Sequence, residues 1–336
     1  METGLPRALV PAGYGGGEHR LQDVLGAIAA LAFHDGSAAW CAMIAATTGL
    51  TAARLPAEWA ERIYGDPAAV TGGFAMPSTT AEAVDGGVLV TGRWPWGSGT
   101  YHCTWIGGGC LLGDGPSAPF VFFERDQVRL LDTWHVSGLR GSGSTDYEVE
   151  RAFVPSGRWA DLRDPPRVDG PLYRFPFMGA LALGVCSVTV GLARRAQHEL
   201  VELAGGKRPA GSARTLAERP TVQAAVARAE AGWRSAWAFV GEVVAEAWDA
   251  ASEGEPLGDE HKRLIRLAAT NVTWSSAEAV DLMYNAGGGS SIHEASALQR
   301  VFRDIHVATQ HGMVAERTYE PVGRMALGLP TDTALL

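Results

Sequence analysis

The chain has 336 residues, 46% of them hydrophobic and 19% charged, with a net charge of −9. That length buries a sizeable core, and the modest charge content argues against disorder. Scattered arginines on an acidic chain exclude a nucleic-acid partner, and four cysteines (Cys41, Cys103, Cys110, Cys186) without CxxC or metal-type spacing read as reduced thiols with no metal site.

The N-terminus lacks a basic-then-apolar secretion signal, which implies a cytoplasmic protein. It opens on Leu9-Val10-Pro11 and the cluster Tyr14-Gly15-Gly16-Gly17, a loop leading into a helix. Leu21, Val24, Leu25, Ile28, Leu31 and Ala32 recur at helical spacing. Asp35 and Ser37 offer caps for a second helix over 38–50, which carries Trp40, Cys41 and Met43. A short third helix follows over 59–64.

The period then changes. Short apolar or alternating runs cover 70–77, 81–84, 88–94, 104–112, 120–123, 128–134 and 147–154. Turn signals separate them at Asp85-Gly86-Gly87, Gly113-Asp114-Gly115-Pro116, Arg125-Asp126 and Gly141-Ser142-Gly143. Regular short strands with such turns predict an antiparallel barrel or sandwich.

Beyond a proline-rich connector over 155–176, helical spacing returns over 178–204. This is the richest apolar stretch, but glycines break it and Arg194-Arg195 closes it, so no membrane span is expected. Pro220 begins the next helix, where proline is tolerated, and Val222, Val226, Ala229, Trp233, Trp237, Val240, Val244 and Trp248 trace its apolar stripe. A third bundle helix covers 262–284. The fold class is therefore α+β: helices over 1–69, a small antiparallel β-barrel over 70–155 and a four-helix bundle over 156–336.

The densest chemistry lies in the last helix of that bundle. The run Asn285-Ala286-Gly287-Gly288-Gly289-Ser290-Ser291 reads as a turn feeding a helix start, where Gly288, Ser290 and Ser291 offer donors to a phosphate. Arg300, Asp304, Val307 and His311 fall on one stripe of that helix. His311 is the candidate reacting centre; a capped, salt-bridged packing helix is the plainer reading of the spacing alone.

Several strings in order carry a family likeness. They are Leu9-Val10-Pro11 with Tyr14-Gly15-Gly16, Asp35-Gly36-Ser37-Ala38-Ala39-Trp40, and Gly92-Arg93-Trp94-Pro95-Trp96-Gly97-Ser98-Gly99-Thr100. Trp134 to Ser144, Phe153-Val154-Pro155, and Leu298-Gln299-Arg300 with Arg303-Asp304 and His311 complete the set. The chain resembles the acyl-CoA dehydrogenase superfamily and, within it, the group D two-component flavin monooxygenases.

The resemblance implies an oxygenase component that uses reduced flavin, FMNH2 first and FAD second, supplied by a separate flavin reductase. O2 would add to the flavin at C4a, and the terminal oxygen would pass to an aromatic carbon or a heteroatom of a small molecule. It implies a homotetramer and an isoalloxazine near Phe74, Ala75, Met76, Trp96, Gly97 and Ser98. Phosphate charge would come from Arg214, with Lys207 and Arg208 beside it. His311 and Ser98 are the catalytic candidates, and Trp40, Cys41, Trp134, Met283 and His311 the substrate-binding ones. Trp94 and Trp96 read equally as sheet core, His102 as structural, and Arg140 as a turn residue.

Departures from the family pattern narrow the chemistry. Dehydrogenating relatives keep a glutamate soon after the Arg-Asp pair, whereas this chain reads Thr309-Gln310-His311-Gly312-Met313, with Glu316 farther along. A histidine is a poor base against a weakly acidic carbon but suits hydrogen bonding to an oxygen-transfer centre. Gly97 stands where relatives often carry serine or threonine, so Ser98 is the nearest hydroxyl. Family members usually have a further N-terminal helix ahead of the point where this chain begins. No nicotinamide fingerprint is present. Two alternatives stay open: an acyl-CoA dehydrogenase-like FAD oxidoreductase and a non-catalytic ligand-binding relative.

Overall fold

The computed structural model describes residues 4–113, 117–334 and 336; the turn signal at 114–116 lies outside them. Helix α1 (Leu21–His34) buries Leu21, Val24, Leu25 and Ile28, the stripe that the spacing predicts. Asp35 caps α2 (Gly36–Gly49) by accepting from the Ala38 amide at 2.9 Å. That helix buries residues on most of its circumference, Ala39, Trp40, Met43 and Ala46 among them. The third helix, α3, runs Ala57–Tyr64.

Among the described residues seven strands follow: β1 (Thr71–Val84), β2 (Gly87–Gly97), β3 (Trp105–Leu112), β4 (Phe120–Glu124), β5 (Arg129–Leu130), β6 (Thr145–Pro155) and β7 (Trp159–Ala160). The runs over 70–77 and 81–84 are one strand, and 128–134 shrinks to two residues. Val84 pairs with Gly87 across a two-residue turn in which Gly86 takes φ +78°, the hairpin that Asp85-Gly86-Gly87 predicts.

The sheet is not purely antiparallel, which corrects the expectation. Its order is β5-β6-β2-β1-β3-β4-β7, and β1 and β3 pair in parallel. After β2 the chain crosses over residues 98–104 to the far edge of β1. Two reversals of direction then leave β3 running the same way as β1, a crossover that alternating hydrophobicity does not encode.

The bundle consists of α4 (Phe177–Gly206), α5 (Pro220–Ser252), α6 (Asp259–Gly287) and α7 (Ala297–Ala308), followed by a short α8 (Tyr319–Ala326). Contrary to the sequence reading, α4 is long and apolar enough to cross a membrane, yet 89% of its apolar window is buried inside the protein. Small residues explain how neighbours cover it. Gly191 lets the Ala29 carbonyl approach so closely that a Cβ would sit 2.4 Å away, and a Cβ on Gly184 would sit 2.7 Å from Met43 Cγ. The N-terminal helices and the bundle therefore share one core, and the sheet has its own around Trp94, Ile106, Val121 and Tyr147.

Two expectations about the last helix fail. Gly288, at φ +55°, ends α6, and the Gly288–Ser290 segment is a 3-10 turn behind that helix rather than the start of the next. The cap of α7 is Ser296, whose hydroxyl accepts from the Leu298 amide at 3.3 Å. The glycine-serine turn thus stands at the negative end of a helix dipole, not the positive end. His311 also lies past the last residue of α7, in a turn that leaves the helical stripe.

Candidate active site

Three segments distant in sequence meet at Trp40. From α2 its indole Nε1 donates to Ser98 Oγ, at the end of β2, over 3.0 Å. Its ring meets the His311 imidazole edge-on, with centroids 5.5 Å apart and planes at 70°. Ser98 Oγ lies 2.7 Å from Ser144 Oγ, which lies 2.7 Å from Ser142 Oγ, and Ser142 donates to the Leu139 carbonyl at 2.7 Å. Trp40, Ser98, Ser142 and Ser144 are all buried. Cys41, one residue on, points its thiol at the Ser142 carbonyl at 3.5 Å; burial pushes that thiol up to about 11, so it is no thiolate nucleophile.

The turn carrying those serines is clamped to the bundle. Asp304 of α7 accepts the Leu139 amide at 2.6 Å. Gly138 sits so close to the Arg303 carbonyl that a Cβ there would lie 2.2 Å from it. Burial raises the Asp304 carboxyl, opposed by the Leu139 amide and by Arg300 and Arg303.

His311 is half-buried, and its ring is not turned out to bulk water. Desolvation, with the Arg266 cation adding to it, pushes its pKa down to about 4, so the imidazole is neutral at physiological pH. The Met313 amide donates to His311 Nδ1 at 3.3 Å, and Arg266 Nη1 in turn holds the Met313 carbonyl at 2.9 Å. With Nδ1 accepting, the ring proton belongs on Nε2, and His311 presents an N–H donor.

Beside this buried group lies an open aromatic face. Trp96 is 61% exposed, and its ring meets Phe74 with centroids 5.8 Å apart. Trp96 takes φ +56°, a left-handed conformation costly for a bulky residue, where the β2–β6 register slips between Trp94 and Gly97. Trp94 alone is sheet core, fully buried with its Nε1 donating to the Gly109 carbonyl. A strained strand end that displays an indole next to buried hydroxyls suits a flat heterocycle with a polar edge. The exposed Trp96–Phe74 face fits the flat ring of an isoalloxazine, while Ser98 is buried behind it.

A cleft of about 490 Å3 borders Ala75, Met76 and Pro77, with Phe177, Met178, Arg54 and Lys262 opposite, and it reaches neither residues 96–99 nor His311. Gly97 has a packing reason of its own. A Cβ there would lie 2.7 Å from Tyr147 Cδ1 and 2.9 Å from Thr100 Cγ2.

The remaining candidates stand elsewhere. Met283 is fully buried in the bundle core, and Ser291 is buried with its hydroxyl donated to the Tyr284 carbonyl at 2.7 Å. Trp134 turns its indole N–H to the Leu139 carbonyl at 3.2 Å, on the outer side of the serine turn. Arg214, Gly288 and Glu316 are exposed, as are His102, Arg140 and Arg208. Lys207 Nζ donates to the Gly287 carbonyl at 2.6 Å, which gathers the lysine and the Gly288–Ser290 turn on one surface. Among the described residues, no hydrogen bond or ring contact joins that surface to Trp40, Ser98 or His311, and no cluster suited to a metal occurs. Sequence reading passed over Ser142, Ser144, Arg266 and Met313. The serines lie in the Gly-Leu-Arg-Gly-Ser-Gly-Ser string, which reads as a turn and does not show what that turn packs against.

An acyl-CoA dehydrogenase C-terminal domain family matches residues 183–316, and the whole architecture is that fold. Over 330 residues the chain is 34% identical to the indole-3-acetate monooxygenase of Pseudomonas putida, covering 97% of this chain and 84% of the relative. It is 30% identical to the flavin-dependent monooxygenase oxygenase subunit HsaA of Rhodococcus jostii, covering 99% and 91%. XiaF from Streptomyces, solved with FADH2 and glycerol, superposes with a TM-score of 0.91 at 25% identity, covering 98% of this chain and 87% of that one. The chain belongs to the oxygenase components of the flavin-dependent monooxygenases. It is an oxidoreductase that depends on flavin, uses O2 and works with a partner reductase.

Proposed function

We propose that this oxygenase takes reduced flavin against the Phe74–Trp96 face and inserts one oxygen atom into an electron-rich aromatic carbon or a heteroatom of a small molecule. Bound reduced flavin supplies the electrons that activate O2. The protein's part is to orient and to exclude water. Trp40 fixes Ser98 from one side and packs His311 from the other. His311, neutral and protonated on Nε2, donates a hydrogen bond toward the oxygen being transferred instead of abstracting a proton. Its low pKa, set by burial and Arg266, suits a donor better than a base.

The observation that carries the reading is the Met313 amide on His311 Nδ1, which leaves the ring proton on Nε2. A phenol or an indole, indole-3-acetate included, is the substrate class that the aromatic surroundings and the relatives' names support. FMN and FAD share the ring system this face would read. In a homotetramer, Lys207, Arg208 and Arg214 of one subunit would serve the flavin phosphate of a neighbour. We place the protein in the cytoplasm, without a membrane partner.

The test supplies photoreduced FMN or FAD and O2 to the protein with a panel of phenols and indoles, and scores hydroxylated product against peroxide. Product formed in step with oxygen uptake is expected. Tightly held oxidised flavin with acyl-CoA oxidation and no hydroxylation would overturn the proposal.

A further inference from the structure

His311 stands beyond the last residue of α7, so its own helix does not fix where the ring points. The backbone from His311 onward folds into a turn, in which the His311 carbonyl accepts the Val314 amide at 3.0 Å and the Ala315 amide at 2.9 Å. That turn is held by α6, through three side chains spaced four residues apart and hence on one stripe. Arg266 Nη1 donates to the Met313 carbonyl at 2.9 Å and lies 3.3 Å from Met313 Sδ. Trp274 Nε1 donates to the Val314 carbonyl at 3.1 Å. Between them, Thr270 Oγ1 lies 2.8 Å from Thr318 Oγ1. Arg266, Thr270, Val314 and Thr318 are all buried, so water offers no ready replacement for these bonds.

The two carbonyls belong to neighbouring residues, whereas their donors start eight residues apart on α6, about 12 Å along the helix axis. The two bonds therefore pull on the turn from opposite ends of the stripe. The turn can neither slide along α6 nor roll on it without giving up one of them. Met313, fixed through its carbonyl, is also the residue whose amide engages His311 Nδ1. The imidazole is thus registered from α6 rather than from the helix that precedes it in the chain.

The geometry points to Arg266 and Trp274 as positioning residues for oxygen transfer, a latch that acts through the 311–318 turn to keep His311 Nε2–H aimed at the oxygen being transferred. The inference rests on the reading of His311 as a hydrogen-bond donor to that oxygen. Such a donor works only at hydrogen-bond distance from the developing charge, and a misplacement of about 1 Å at a reacting centre costs on the order of 10²-fold in rate. Reduced flavin and O2 that yield no hydroxylated product yield hydrogen peroxide instead, so a loosened latch shows as uncoupling.

The experiment is a pair of double-mutant cycles on the folded enzyme, supplied with photoreduced FMN, O2 and the phenol or indole it turns over fastest, scoring product per O2 consumed. Arg266→Met removes the donor to Met313 and keeps most of the bulk, and Trp274→Phe removes the indole N–H and keeps an aromatic ring. Each is expected to lower product per O2 about tenfold, with peroxide rising to match and reduced-flavin affinity unchanged. Arg266→Lys, which retains a donor, should recover part of the loss. Placed on His311→Phe, the same two substitutions should change the yield by less than about twofold, because no donor is left to misplace. Trp274 is half-buried, so its variant carries the test where Arg266→Met folds poorly. Equal losses in both backgrounds, or no loss in either, would overturn the inference while the site reading stands. A His311→Phe enzyme with wild-type yield would remove the site reading, and the inference with it.

Discussion

The indole of Trp40 touches both halves of the site: its N–H is given to Ser98 at 3.0 Å, and its ring packs edge-on against His311 at 5.5 Å between centroids. Trp40→Phe keeps an aromatic surface for His311 but removes the N–H, leaving a lone pair on Ser98 unfilled. We expect the folded protein to lose about 1 kcal/mol of stability. Hydroxylation should fall less in Trp40→Phe than in Trp40→Ala, which abandons His311 as well. Product and peroxide yields of the two variants check this, and equal losses would show that the indole N–H alone matters.

His311→Phe removes the donor and preserves a ring of similar bulk. Losing one preorganised donor costs on the order of 10²-fold in rate, and the loss should appear as peroxide replacing product. His311→Asn keeps an N–H and should retain more coupling. A His311→Phe enzyme that hydroxylates at the wild-type yield would remove His311 from the chemistry.

Protonation of His311 links to stability with a definite sign. Its folded-state pKa of about 4 lies below the unfolded value of ~6.5. Between those values the unfolded chain binds the proton more readily, so stability falls as the pH drops through that window and is unaffected by this group above it. Urea midpoints of wild type and His311→Phe from pH 7.5 to 4.5 should therefore converge as the pH falls. Parallel curves would show that His311 titrates normally. By the same argument activity should show no ascending limb from His311 near pH 6.5.

Gly97→Ser would add a hydroxyl next to Ser98, but it should destabilise the protein. The new Cβ meets Tyr147 at 2.7 Å, and Tyr147 is fixed because its hydroxyl donates to the Gly107 carbonyl and accepts the Phe74 amide at 2.9 Å. Overpacking of this kind costs about 1–3 kcal/mol. A thermal melt checks it, and a variant as stable as wild type would show that the strand end yields easily.

Asp304→Ala leaves the Leu139 amide without its partner across 165 residues of sequence. A buried donor so stranded costs about 1–3 kcal/mol. Asp304→Asn, which still offers a carbonyl oxygen, should recover part of that loss. Because the clamp seats the serine turn, Asp304→Ala should also weaken flavin binding; an effect on stability without one on flavin would confine Asp304 to folding.

The amino-acid sequence by itself determined the helical stripes of α1, α4 and α5 and the Asp85-Gly86-Gly87 hairpin. These are legible because side-chain periodicity and turn chemistry act between near neighbours in the chain. Only the tertiary structure decided that β3 lies parallel to β1, that His311 stands beyond its helix, that Trp96 faces outward while Trp94 is core, and that Trp40, Ser98 and Ser144 meet in one buried group. Each of those outcomes is set by partners far apart in sequence: Trp40 and Ser98 are 58 residues apart, and Ser98 and Ser144 are 46 apart. The direction of a hydrogen bond or the tautomer of a ring depends on what the fold brings opposite it, and local pattern carries no record of that.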